Sequence, residues 1–86
     1  MNDIRIALVD DHQLYRQVIR EILSSKPEYR VVGEADNGRT AVDIIKDTLP
    51  DIILLDISMP DMDGICAIEH FRRVHPKGRI ILVTMH

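Results

Sequence analysis

The sequence predicts an α/β fold of the doubly wound class, a single parallel sheet with helices on both faces. Three short apolar runs, Ile4 to Val9, Ile52 to Leu55 and Ile80 to Val83, have the composition of strands covered on both sides. Segments of helical period lie between them, and a weaker strand signal adds a fourth, so the order reads βαβαβαβ. Strict alternation implies parallel strands joined by right-handed crossovers.

The first run is interrupted only by Arg5 and closes on Asp10 and Asp11. A helix follows from about His12 to Leu23, with Leu14, Val18 and Ile22 on one stripe and Ile19 and Leu23 widening it. Asp10 or Asp11 would cap its start, and Ser24 to Pro27 would end it. Tyr29 to Ala35, with Val31 and Val32 between polar flanks and Gly33 in its interior, suits an edge strand. Asn37 and Gly38 open a helix from about Arg39 to Thr48, which carries Val42, Ile45 and Leu49 on one side and stops at Pro50. The run Ile52 to Leu55 closes on Asp56. A loop from Ser58 to Gly64 then leads to a helix from about Ile65 to Val74, bearing Ile65, Ile68 and Phe71 and closed by Pro76 and Gly78. No repeat, linker or low-complexity stretch divides the chain, which reads as one domain over residues 1–86.

At 86 residues and 45% hydrophobic, the chain exceeds the size of about 40 residues below which staples are normally needed. Its one cysteine, Cys66, offers neither a disulfide framework nor zinc-type spacing, fits a reducing compartment, and reads as a half-buried helix residue. No apolar stretch approaches the roughly 20 residues of a membrane span, and the N-terminus lacks a signal-peptide pattern. The expectation is a cytoplasmic chain with no membrane partner. A net charge of -3 with scattered basic residues argues against binding nucleic acid through these residues.

In doubly wound sheets ligands sit beyond the carboxyl ends of the strands, where strand order reverses. With order 2-1-3-4 the reversal falls between strands one and three, where Asp10, Asp11 and Asp56 end up. Any one of them alone reads more readily as a helix cap. Three together read as a cation and phosphoryl site, because packed carboxylates repel and a hard divalent ion with oxygen ligands holds them at neutral pH. Asp61, Asp63 and Gly64 have the look of a calcium loop, but the position needing glutamate is His70. His12, His70 and His75 have no helical pairing or nearby cysteine for a metal and read as solvated or capping residues. Met59 and Met62 read as loop packing.

Taken in order, Asp10-Asp11, Asp56, the loop Met59-Pro60-Asp61-Met62-Asp63-Gly64 and Thr84 make the chain resemble the receiver domain of two-component response regulators, from Ile4 to His86. Asp10-Asp11-His12, Val32-Gly33-Glu34-Ala35, Asn37-Gly38, Leu54-Leu55-Asp56 and Thr84-Met85-His86 are similar to the LuxR-type subfamily. The resemblance implies a flavodoxin-like receiver fold and a phosphoacceptor rather than an enzyme, with Asp56 taking a phosphoryl group from a sensor histidine kinase as an acyl phosphate. It implies Mg2+, ligated directly by Asp11 and Asp56, through water by Asp10, and by the backbone carbonyl of Ser58, with Thr84 donating its hydroxyl to the phosphoryl group. Ser58 and His86 hold positions that tune the lifetime of the phosphate in that family. A DNA-binding output domain follows the receiver in the subfamily, so transcription control and DNA contact would come from a domain absent from this chain.

Receivers of this family also carry a fifth strand ending in lysine, whereas the lysines here are Lys26, Lys46 and Lys77. The resemblance therefore implies a receiver truncated after strand four, with impaired phosphorylation and self-association through the exposed strand-four edge, Ile80 to Val83. Two other classes compete. One is a phosphorylation-independent interaction or scaffold domain. The other is a Mg2+-dependent aspartyl-phosphate phosphatase of the haloacid-dehalogenase type, whose Asp-x-Asp after strand one is replaced here by Asp10-Asp11-His12.

Overall fold

Four strands and three helices alternate along the chain: β1 (Ile4–Val9), α1 (Gln13–Ser24), β2 (Tyr29–Ala35), α2 (Gly38–Thr48), β3 (Ile52–Asp56), α3 (Gly64–Val74) and β4 (Arg79–Val83). The computed structural model describes residues 3–56, 59 and 64–83. Every strand pair is parallel, as the alternation predicts, and the order is β2-β1-β3-β4, the one expected of a receiver fold. The reversal of strand order lies between β1 and β3.

The central pair is in register from Ile6 against Ile52 to Val9 against Leu55. Because side chains alternate along a strand, Ala7, Val9, Ile53 and Leu55 share one face. That face meets Ala41 and Ile45 of α2 and Ala67 and Phe71 of α3, with Met59 completing the buried cluster. Phe71, Ile45, Ile53 and Leu55 are wholly inaccessible, and each such side chain contributes about 1.5–3 kcal/mol of transfer free energy. The main core therefore lies between the sheet and α2 and α3. Cys66 of α3, expected to be half-buried, is exposed.

The other face is covered differently from expectation. Leu14, Val18 and Ile22, the predicted contact stripe of α1, are 74%, 44% and 55% exposed, and no α1 residue is buried. Ile19, expected to widen that stripe, does face Leu8 and Leu54, together with Tyr15 and Arg16. Tyr15 and Ile19 are four residues apart, as Leu14 and Val18 are, so helical spacing alone does not choose between them. Of the two edges, β2 lies where its composition placed it, and β4 does not. β4 reads as a central strand but lies at the margin, with Ile81 and Leu82 about half exposed.

The helix ends follow local chemistry. Asn37 caps α2, its side chain accepting from the Thr40 backbone N–H at 2.9 Å. At the other end Leu49 adopts the left-handed conformation, φ 47°, before Pro50. Arg5, the one charge in β1, stabilises this turn by donating from Nη1 to the Leu49 carbonyl at 3.2 Å. Asp10 and Asp11 do not cap α1 as expected. His12 holds the N-cap position without a capping side-chain bond, and the Asp10 carboxylate accepts from the backbone N–H of His12 itself.

β2 contains a bulge: Ile6 pairs with Val31 but Ala7 pairs with Gly33, which leaves Val32 as the extra residue. Gly33 then lies flat against α2, where a Cβ would overlap Ile44 Cγ2. Close approach of a helix explains glycine inside this strand. Among the described residues no helix is long and apolar enough to cross a membrane.

Gly33→Ala is expected to destabilise the fold by about 1–3 kcal/mol through overpacking, read as a lower urea midpoint. Combining it with Ile44→Ala should recover part of the loss. An unchanged midpoint in the single variant would show that Ile44 moves aside without cost.

Candidate functional site

The residue after β1 and the last residue of β3 meet because their strands are neighbours in register. Val9 pairs with Leu55, so the next positions, Asp10 and Asp56, fall side by side at the carboxyl edge of the sheet. Both carboxylates are buried, at 5% and 3% exposure, which is rare for acidic residues without compensation. Asp11 and His12, on the turn into α1, lie at the rim.

His12 provides part of that compensation. Its Nδ1 lies 3.0 Å from Asp10 Oδ1, 2.9 Å from Asp11 Oδ1 and 3.6 Å from Asp56 Oδ2. Its backbone N–H donates to Asp10 Oδ1 at 2.7 Å. The hydrogen bond to Asp10 holds the imidazole above its ordinary pKa of 6.5; desolvation opposes that shift, and the charges of Asp11, Asp10 and Asp56 add to it. Three carboxylates against one imidazolium still leave the pocket negative. An apolar cleft lined by Tyr15, Ile19, Leu54 and Val83 opens beside it. Burial pushes the Tyr15 hydroxyl up from its usual pKa, and the neighbouring Asp10 and Asp56 charges push in the same direction.

The donor set fits a hard cation. One ligand atom each from Asp10, Asp11, His12 and Asp56 lies within 4.8 Å of the others. Asp10 Oδ2 is buried and has no hydrogen-bond partner among the described residues, a costly arrangement that a cation or its bound water would relieve. Mg2+ takes oxygen ligands and keeps several waters, so a few carboxylates suffice to hold it.

The structure thus brings together Asp10, Asp11 and Asp56, the three acidic residues singled out in the sequence. Ser58 and Thr84 lie outside the described residues, as do Met85, His86 and the loop acids Asp61 and Asp63. Val83, in register with Asp56, is the last described residue of β4. His12 was legible only as a capping or solvated residue, although its adjacency to Asp10-Asp11 was a signal. Arg16, whose Nη1 donates to the Asp10 carbonyl at 2.7 Å, carried no local signal.

Comparison with known proteins matches the response regulator receiver domain family over residues 6–86. The transcriptional regulatory protein DegU of Brevibacillus brevis is 35% identical over 85 residues, spanning 99% of this chain and 36% of that protein. The chemotaxis protein CheY of Thermotoga maritima is 42% identical over 80 residues, spanning 93% of this chain and 66% of that protein. A crystal structure of a LuxR-family two-component response regulator from Aurantimonas superposes with a TM-score of 0.88 at 38% identity, over 98% of this chain and 60% of that one. The chain spans about a third of the length of the DegU relative and about two thirds of CheY.

The His12 ring should titrate with a midpoint above 6.5, followed by its NMR side-chain signals in the absence of divalent ions. A raised folded value means that the interaction stabilises the fold below the unfolded pKa and fades as pH rises through the folded one. Asp10→Asn should bring the midpoint down, and a wild-type midpoint at or below 6.5 would contradict the assigned contacts.

Proposed function

The chain belongs to the response regulator receiver domain family, and from that premise we propose that it is a phosphoacceptor, taking a phosphoryl group from a sensor histidine kinase onto Asp56. The observation that carries this reading is the placement of Asp56, buried at the carboxyl end of β3 and flanked by the Asp10-Asp11 pair. The sheet order behind it is that of the flavodoxin-like receiver fold.

In this reading an Asp56 oxygen attacks phosphorus, the bond from phosphorus to the kinase histidine nitrogen breaks, and that nitrogen keeps the electron pair. Such transfers need alignment and charge neutralisation more than covalent help from the protein. Asp11 and Asp56 would hold Mg2+ directly, Asp10 through water, and Ser58 through its backbone carbonyl. When bound, the ion would offset the charge that the carboxylates and the phosphoryl oxygens bring together. Thr84 would donate its hydroxyl to the phosphoryl group. The domain is an acceptor and regulator rather than an enzyme, and it works in the cytoplasm. In the whole protein it would control transcription through a DNA-binding domain outside these residues.

A second reading is supported by β4. Its apolar residues Ile81 and Leu82 are about half exposed on a marginal strand, where sheets usually place charge or cover. We propose that copies of this chain self-associate through that edge, independently of phosphorylation.

Incubation with acetyl phosphate and Mg2+ should add the mass of one phosphoryl group to a fraction of the wild-type chain, the partial yield expected of impaired phosphorylation, and none to Asp56→Asn. Asp10→Asn should keep the label on Asp56, at a reduced level. Label on the Asp56→Asn variant would overturn the assignment, and label on Asp10 would favour the phosphatase class. Sedimentation velocity tests the second reading. Ile81→Lys should shift the population toward monomer, and a wild-type chain that stays monomeric at high concentration would refute association.

A further inference from the structure

We propose that Arg16 is a positioning residue for the acidic pocket, clamped by Glu34 so that its guanidinium fixes the end of β1 that carries Asp10. The main chain of Asp10 is held on both sides. Its N–H donates to the Ala35 carbonyl at 3.0 Å, and its carbonyl accepts from Arg16 Nη1 at 2.7 Å. Arg16 in turn is oriented by β2: its Nε lies 3.4 Å from Glu34 Oε1, an ion pair without hydrogen-bond alignment. The other Glu34 oxygen accepts from Arg20 Nη1 at 2.6 Å, which keeps the carboxylate from swinging away.

The Arg16 and Glu34 side chains are only 16% and 24% exposed, so solvent competes weakly with these contacts. A planar guanidinium can address a carbonyl and a carboxylate at once, whereas an ammonium is a point charge without that fork. Arg16 also lines the cleft beside Asp10 and Asp56. Its charge and its geometry therefore make opposite predictions for cation binding. Removing a positive charge near the carboxylates would by itself tighten binding of a cation. Releasing the Asp10 carbonyl would let the turn drift and weaken it, as loss of an outer contact to a ligating residue does.

This inference rests on the phosphoacceptor reading for its choice of Mg2+ as probe. The test is Mg2+ titration calorimetry on the 86-residue chain with Arg16→Met, Arg16→Lys and Ile45→Val, the last to match a loss of stability far from the pocket. Arg16→Met is expected to weaken Mg2+ binding roughly 10-fold, and Arg16→Lys, which keeps the charge, to weaken it by a smaller factor. Ile45→Val should bind like wild type. Amide exchange at Asp10 should quicken in both Arg16 variants. Unchanged or tighter binding in Arg16→Met, or an equal loss in Ile45→Val, would overturn the proposal. If Arg16→Met fails to fold, Arg16→Lys decides by the same criteria. If the wild-type chain binds no Mg2+, the metal reading fails, and exchange at Asp10 still decides whether Arg16 positions the turn.

Discussion

Two buried carboxylates held side by side are the constraint on which the rest of this fold depends. The parallel register of β1 and β3 forces the residues after Val9 and Leu55 into adjacency, and both are aspartates. Like charges in a partly desolvated site repel, and the repulsion grows as water is excluded. Part of the offset comes from the turn into α1, where His12 brings a backbone N–H and a ring nitrogen to Asp10. The site is therefore held by the junction between elements, and it is stable only while the junction keeps its shape.

The two faces of the sheet share this work unequally. On one face α2 and α3 bury the apolar side chains that lock β1 against β3. This packing makes the spacing of Asp10 and Asp56 a property of the core. On the other face α1 has no buried residue, yet it follows the turn that carries Asp11 and His12. Segments with little buried contact open at lower free energy than the core. One side of the pocket is thus packed into the core, and the other is carried by a turn next to a lightly packed helix.

Much of this was legible in the sequence, and the exceptions share a cause. The apolar runs of β1 and β3, the Asn37 cap, the Pro50 stop and the strand-end aspartates are local signals, and each appears where it was expected. The contact face of α1 was read only in part: Ile19 lies at the contact as expected, but Leu14, Val18 and Ile22, the main members of the expected stripe, are exposed, and Tyr15 takes their place. Exposure of the expected stripe follows from where the sheet lies relative to the helix, which no window of sequence encodes. Arg16 and Glu34 looked like ordinary polar residues of a helix and an edge strand. Their pairing spans two elements, and so does its meaning. The acidic pocket was found because its residues terminate strands; its support was missed because its residues do not.

The bulge at Val32 has the longest reach of any single residue here. Residues paired across neighbouring parallel strands point to the same side, and the extra residue reverses that parity for everything after it in β2. Gly33 and Ala35 thereby accompany Ala7 and Val9 toward α2, and Glu34 accompanies Leu8 toward α1. Were Val32 paired in a regular ladder instead of bulged, Glu34 would fall opposite Val9, under α2 and among its apolar neighbours, and Gly33 would take the place opposite Leu8. The inserted residue acts as a phase setting, and the chemistry of the neighbouring strand's end is tuned to it.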